Sequence, residues 1–130
     1  MKTKLITLVF ILFATASFAQ STSQPPDQNI STDSNVIYRL FSTKNIYTFI
    51  KLNTKNGQMW QVQWSLSSNQ FETPISLVSR VSKENEKTGR FFLYPTTNIY
   101  NFILLDQIDG RVWQVQWSTE AKDRIVVPIN

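Results

Sequence analysis

With 130 residues and neither histidine nor cysteine, the chain lacks an imidazole base, a thiol nucleophile, any disulfide and the commonest transition-metal ligands. Its 13 basic and 9 acidic residues give a formal charge of +4 that is scattered along the chain, which argues against the clustered basic face that nucleic acid requires. A hydrophobic content of 42% must then supply stability through apolar burial alone.

Residues 1–19 start with Lys2 and Lys4, continue through an apolar run and end on Ser17-Phe18-Ala19, the order of a cleaved secretory signal. The apolar run is roughly half of a membrane span, and no cysteine follows it to take a lipid, so the expectation is a secreted or periplasmic protein without a membrane anchor. Losing Lys2 and Lys4 leaves 11 basic against 9 acidic residues. Residues 20–35 hold a single aliphatic side chain, Ile30, among polar residues and prolines, and read as a flexible linker. One β domain is expected over residues 36–130.

Within it, strands are predicted at residues 36–42 and 46–53, joined through Thr43-Lys44-Asn45, where the asparagine is suited to a left-handed turn conformation. A third strand, residues 58–65, follows a loop ending in Gly57, a residue suited to positive φ. A fourth covers residues 71–78, and Pro74 assigns it to a sheet edge. Residues 79–89 are charged and poor in apolar side chains, as a solvated connection should be. The series then repeats. Residues 38–65 align without a gap on residues 91–118, fifteen of twenty-eight positions are identical, and both copies contain Trp-Gln-Val-Gln-Trp-Ser. The repeats extend to about residues 38–78 and 91–130, with Pro128 matching Pro74. The expected fold is all-β: about eight antiparallel strands in two pseudo-symmetric four-stranded meanders, closed as a barrel or packed as a sandwich.

If residues 54–57 form a four-residue loop, Lys51 lies opposite Trp60, Phe49 opposite Val62 and Tyr47 opposite Trp64. One face of the hairpin is then aromatic, and the other carries Thr48, Ile50, Leu52, Met59, Gln61 and Gln63. A five-residue loop would exchange these partners. The alternation Trp-Gln-Val-Gln-Trp suits a half-buried strand, so most of the four indoles are expected in the core, holding the halves together. Exposed indoles also stack on sugars and anchor protein interfaces. A ligand site would draw on the amphipathic residues both copies carry: Tyr47, Trp60, Gln61, Gln63 and Trp64 in the first, Tyr100, Trp113, Gln114, Gln116 and Trp117 in the second.

No charged residue is common to the copies, so the repeated unit offers no carboxylate pair and no nucleophile with its base. No catalytic residue, metal or cofactor is expected. An asymmetric hydrolase site on Glu72, Asp106, Asp109 or Asp123 is the minor alternative. The turn Phe102-Ile-Leu-Leu-Asp106-Gln-Ile-Asp-Gly110-Arg-Val-Trp113 resembles the hairpins of small secreted β-repeat proteins of Bacteroidetes type, and the Phe-Ala-Gln end of the signal resembles theirs. It is also similar to a blade hairpin of quinoprotein-type propellers. Two blades cannot close a propeller, but some bacterial lectins assemble two-repeat chains into rings, and the resemblance in architecture implies that possibility here. The functional expectation is a non-enzymatic binding module for a glycan or protein partner. The alternative is a structural subunit that completes its sheets in a homo-oligomer.

Overall fold

The computed structural model describes residue 28 and residues 33–130; the predicted signal and most of the linker lie outside the described residues. The first copy forms β1 (Tyr38–Ser42), β2 (Thr48–Asn53), β3 (Met59–Gln63) and β4 (Phe71–Ser76). A 3-10 turn at Lys83–Asn85 interrupts the solvated connection, and the second copy forms β5 (Phe91–Pro95), β6 (Asn101–Asp106), β7 (Val112–Gln116) and, after a 3-10 turn at Ala121–Asp123, β8 (Ile125–Ile129). The strands make two antiparallel sheets ordered β1-β2-β3-β4 and β5-β6-β7-β8, so every strand pairs with its successor. They stack in a sandwich-like arrangement and do not close into a barrel.

The four-residue loop sets the register. Asn53 N–H donates to Gln58 O, and Lys51 pairs with Trp60 and Phe49 with Val62. Gly57 and Gly110 close the two loops at φ +83° and +77°. Pro74 and Pro128 lie on β4 and β8, the outer strands of their sheets, where a missing N–H breaks no ladder. The first turn departs from expectation: among the described residues only glycines have positive φ, so Asn45 is not left-handed. It works through its side chain instead. Asn45 Oδ1 accepts from Tyr47 N–H, and Thr43 Oγ1 accepts from Asn45 N–H and donates to Thr48 O. Thr96, Asn98, Tyr100 and Asn101 repeat the same bonds in the second copy.

The two copies bury opposite faces. The first sheet turns Phe41, Ile50, Leu52, Met59 and Gln61 inward, and the second turns inward Phe91, Leu93, Phe102, Leu104, Val115 and Trp117. At matched positions, Trp117 is 1% exposed and Trp64 41%; Leu93 is 0% and Leu40 50%. The relation inverts on the other face, where Phe41 is 0% exposed and its counterpart Tyr94 is 44%. The aromatic face is therefore core in one sheet and surface in the other. This corrects the expectation that most indoles are core: Trp117 is buried and Trp113 packs against the core, whereas Trp60 is half-buried on the outer face and Trp64 is exposed. The physical reason is the stacking. A two-fold relation between the sheets would bury the same face of each, whereas front-to-back stacking must bury unlike faces.

The same inequality appears at the glycine turns. A Cβ on Gly57 would meet Phe91 at 3.3 Å and Arg80 at 3.2 Å, but one on Gly110 would meet nothing within 4 Å. Both alanine substitutions carry left-handed strain of about 1–2 kcal/mol. Gly57→Ala should cost about 1–3 kcal/mol more through overpacking, read as the difference between the two urea midpoints. Equal losses would argue against Phe91 closing over the first turn.

Candidate functional site

The outer face of the first sheet carries a group of aromatic side chains. Tyr38 and Leu40 reach it from β1, Phe49 and Lys51 from β2, Trp60 and Val62 from β3, all fixed by strand alternation. Tyr38 and Trp60 pack with ring centroids 6.2 Å apart, and Lys51 Nζ lies 4.9 Å from the Trp60 ring centroid while pairing with Glu72. At one end Tyr47 packs tilted against Trp64, ring centroids 4.9 Å apart and planes at 51°. Trp64 Nε1–H donates to Ile46 O at 2.8 Å, which fixes the indole plane across the strand ends. A groove of about 380 Å³ beside this pair is lined by Tyr47, Gln63, Trp64, Leu66 and Asn69. The site is thus a flat apolar platform with a shallow polar end, suited to stacking and apolar contact.

The structure divides the ten predicted site residues among three places. Tyr47, Trp60 and Trp64 share this outer face, with Gln63 reaching its groove. Trp113 and Trp117 face the other way, into the sandwich; Trp117 Nε1–H donates to Ile99 O, and Tyr100 packs against its ring, centroids 5.0 Å apart. Gln61 is buried between the sheets, where its Oε1 accepts from Ser118 N–H and from Arg124 Nε–H and so ties the copies together. Gln114 and Gln116 lie on the outer face of the second sheet, Gln114 bonded to Asn101 Oδ1 and Gln116 to Asp123 O. Tyr38, Leu40 and Leu66 escape a search for repeated amphipathic residues, because each has a different or apolar type. The signal that could have found Tyr38 is its alignment with Phe91, the residue that closes over Gly57.

A second concavity, about 520 Å³, is charged rather than aromatic and lies where the connection meets the second hairpin, among Arg80, Ser82, Asn85, Arg90, Asp109 and Arg111. At its base Asp106 is fully buried. Arg90 grips both its carboxylate oxygens at 3.0 Å, Arg111 donates to Oδ2, and the N–H groups of Ile108 and Asp109 donate to Oδ1. Burial alone would raise the Asp106 carboxyl, but the bonds from Arg90, from the Asp109 and Ile108 N–H groups and from Arg111 outweigh it and hold the pKa at about 2. Such a carboxylate is a turn lock and a poor proton acceptor at neutral pH. Asp109 is paired with Arg90 at 2.8 Å and Glu72 with Lys51. Among the described residues no three acidic side chains gather as a metal site, and no helix is long and apolar enough to cross a membrane. No protein family, curated protein or solved structure matches this chain.

Proposed function

We propose that the chain is a non-enzymatic binding module of the periplasm or the cell exterior, and that it binds through the outer face of the first sheet. One observation carries this reading: most positions that form or pack the core in the second sheet keep an aromatic or aliphatic residue in the first, where Tyr38, Leu40 and Trp64 are exposed and Phe49, Trp60 and Val62 half-buried. A contiguous apolar surface of this kind marks a contact region. The favoured ligand is a protein, because the platform spans three strands, is flat, and offers few hydrogen-bonding groups beyond the Lys51–Glu72 pair. A glycan is the second reading, favoured by the exposed Trp64 ring beside Tyr47 with Gln63 and Asn69 at its groove. The binding role is further supported by the carboxylates, since Glu72, Asp106 and Asp109 are each committed to a basic partner.

Acrylamide quenching of tryptophan fluorescence at low micromolar protein tests the surface. A readily quenched component that disappears in Trp64→Phe is expected, and four equally protected indoles would refute it. A glycan array then separates the ligand classes: Trp64-dependent binding selects the sugar, and a blank array selects the protein. Hydrolase activity abolished by Glu72→Gln would overturn the non-enzymatic reading.

A further inference from the structure

The inner packing of the two copies defines a docking rule that their outer faces can repeat, and from it we infer that the occupant of the binding face is a second copy of this chain, stacked head to tail. The inference rests on the proposal that the outer face of the first sheet is a binding surface. It adds the identity of the partner. The sandwich joins the Phe41-Ile50-Leu52-Met59-Gln61 face of one repeat to the Phe91-Leu93-Phe102-Leu104-Val115-Trp117 face of the next. What remains uncovered is the complementary half of each. The second sheet presents Tyr94, Ile103, Leu105, Val112 and Gln114 outward, the counterparts of Phe41, Ile50, Leu52, Met59 and Gln61. The first presents Tyr38, Leu40, Phe49, Val62 and Trp64, the counterparts of Phe91, Leu93, Phe102, Val115 and Trp117. A relation that maps the first sheet onto the second without a two-fold leaves two unlike, mutually fitting surfaces, and repeating it adds a second chain.

Three contacts inside the chain have a counterpart across this junction. Phe91 closes over Gly57, and Gly110, open to 4 Å, would receive Tyr38 of the second copy. Phe91 N–H donates to Thr54 O at 2.9 Å, as Tyr38 N–H of the second copy would to Gln107 O. Gln61 Oε1 accepts from Ser118 N–H, as Gln114 Oε1 would from Ser65 N–H of the second copy. The internal pattern is not reproduced throughout: the Phe92 ring on Phe41 would be replaced by Arg39 on Tyr94, and Lys51 with Glu72 stands where the second sheet has Leu104 with Val126. Being paired, Lys51 and Glu72 can be covered without stranding a charge, at a cost that weakens the junction relative to the internal one. Four strands of five or six residues give a flat footprint of roughly 300 Å². That is below the size of stable specific interfaces, so the association is expected to be weak and concentration-dependent. A head-to-tail junction closes into a ring if its rotation allows and otherwise continues as a filament.

The test uses two variants, each disabling one face at an exposed position: Leu40→Glu on the first sheet and Tyr94→Glu on the second. Wild-type protein from 1 to 500 μM in sedimentation velocity is expected to form species beyond the monomer, with each variant alone at least tenfold weaker. The decisive arm is the equimolar mixture, because each variant retains the face the other lacks. It should give a one-to-one dimer and nothing larger. Circular dichroism and thermal melts confirm that both variants are folded; should either fail, Leu40→Ser and Tyr94→Ser replace them. A monomeric wild type throughout the range overturns the inference, as does a mixture that stays monomeric or a variant that self-associates like wild type. If the protein is monomeric yet Trp64 is freely quenched, only the self-docking idea fails. If Trp64 is shielded in monomeric Tyr94→Glu, the binding surface itself is wrong.

Discussion

Trp117→Ala should destabilise the protein by about 3–5 kcal/mol, while Trp64→Ala, its counterpart in an identical hexapeptide, should cost about 1 kcal/mol. The side chains are chemically the same and each follows directly on the end of its strand, with its Nε1–H on a backbone carbonyl and its ring against a tyrosine. Only burial differs. Removing Trp117 leaves a cavity in the core between the stacked sheets, so lost transfer energy and lost contacts add. Removing Trp64 forfeits a contact with Tyr47 and one hydrogen bond at the surface, where water replaces them. Urea denaturation of the two variants in parallel measures the gap, and equal losses would mean that the copies are packed alike.

Asp106→Ala is the second large effect, with an expected loss of about 2–4 kcal/mol, because it takes away the buried partner of the Arg90 guanidinium, leaving it the exposed Asp109 and the Asn85 carbonyl, and frees two N–H groups of the turn. Asp106→Asn keeps the acceptor for those N–H groups, as Asn53 Oδ1 does for Lys55 N–H in the first copy, and should cost about 1–2 kcal/mol. The same group sets an acid limit. Its folded pKa lies at about 2, below the unfolded value, so its contribution is complete above about pH 4 and is lost as the pH falls through 2. The exposed Arg111 and Asp109 screen the cluster, leaving an effect on the order of 1 kcal/mol. A wild-type stability curve between pH 5 and 2 should therefore fall by more than that of Asp106→Asn. Superimposable curves would remove Asp106 from the acid response.

The strands and their order were legible because they depend on local chemistry. The turn glycines mark the loops and the prolines the outer strands, while the hairpin register stayed open between a four- and a five-residue loop until the Asn53–Gln58 pairing decided it. Which face is inside was not legible. Both faces of the repeat carry enough apolar residues to form a core, and periodicity is identical whichever side is buried. The outcome depends on how the second sheet stacks, a tertiary choice that the copied residues do not encode. Its traces lie at positions where the copies differ. Lys51 and Glu72 stand where Leu104 is buried and Val126 packs against the core, Tyr38 where Phe91 is buried, and conversely Tyr94 where Phe41 is buried. A reading centred on what the copies share passes over them. The Asp106 cluster was hidden for a related reason: Arg90 and Arg111 align with Ile37 and Gln58, so the buried ion pairs belong to one copy alone.

The central claim, that the two repeated hairpins bury opposite faces, is tested most directly by hydroxyl-radical footprinting with mass spectrometry on the Tyr94→Glu protein, in which one self-docking face is disabled. Oxidation at Trp64 should greatly exceed that at Trp117, in keeping with 41% and 1% exposure. Equal oxidation of the two indoles, or the reverse order, would contradict it.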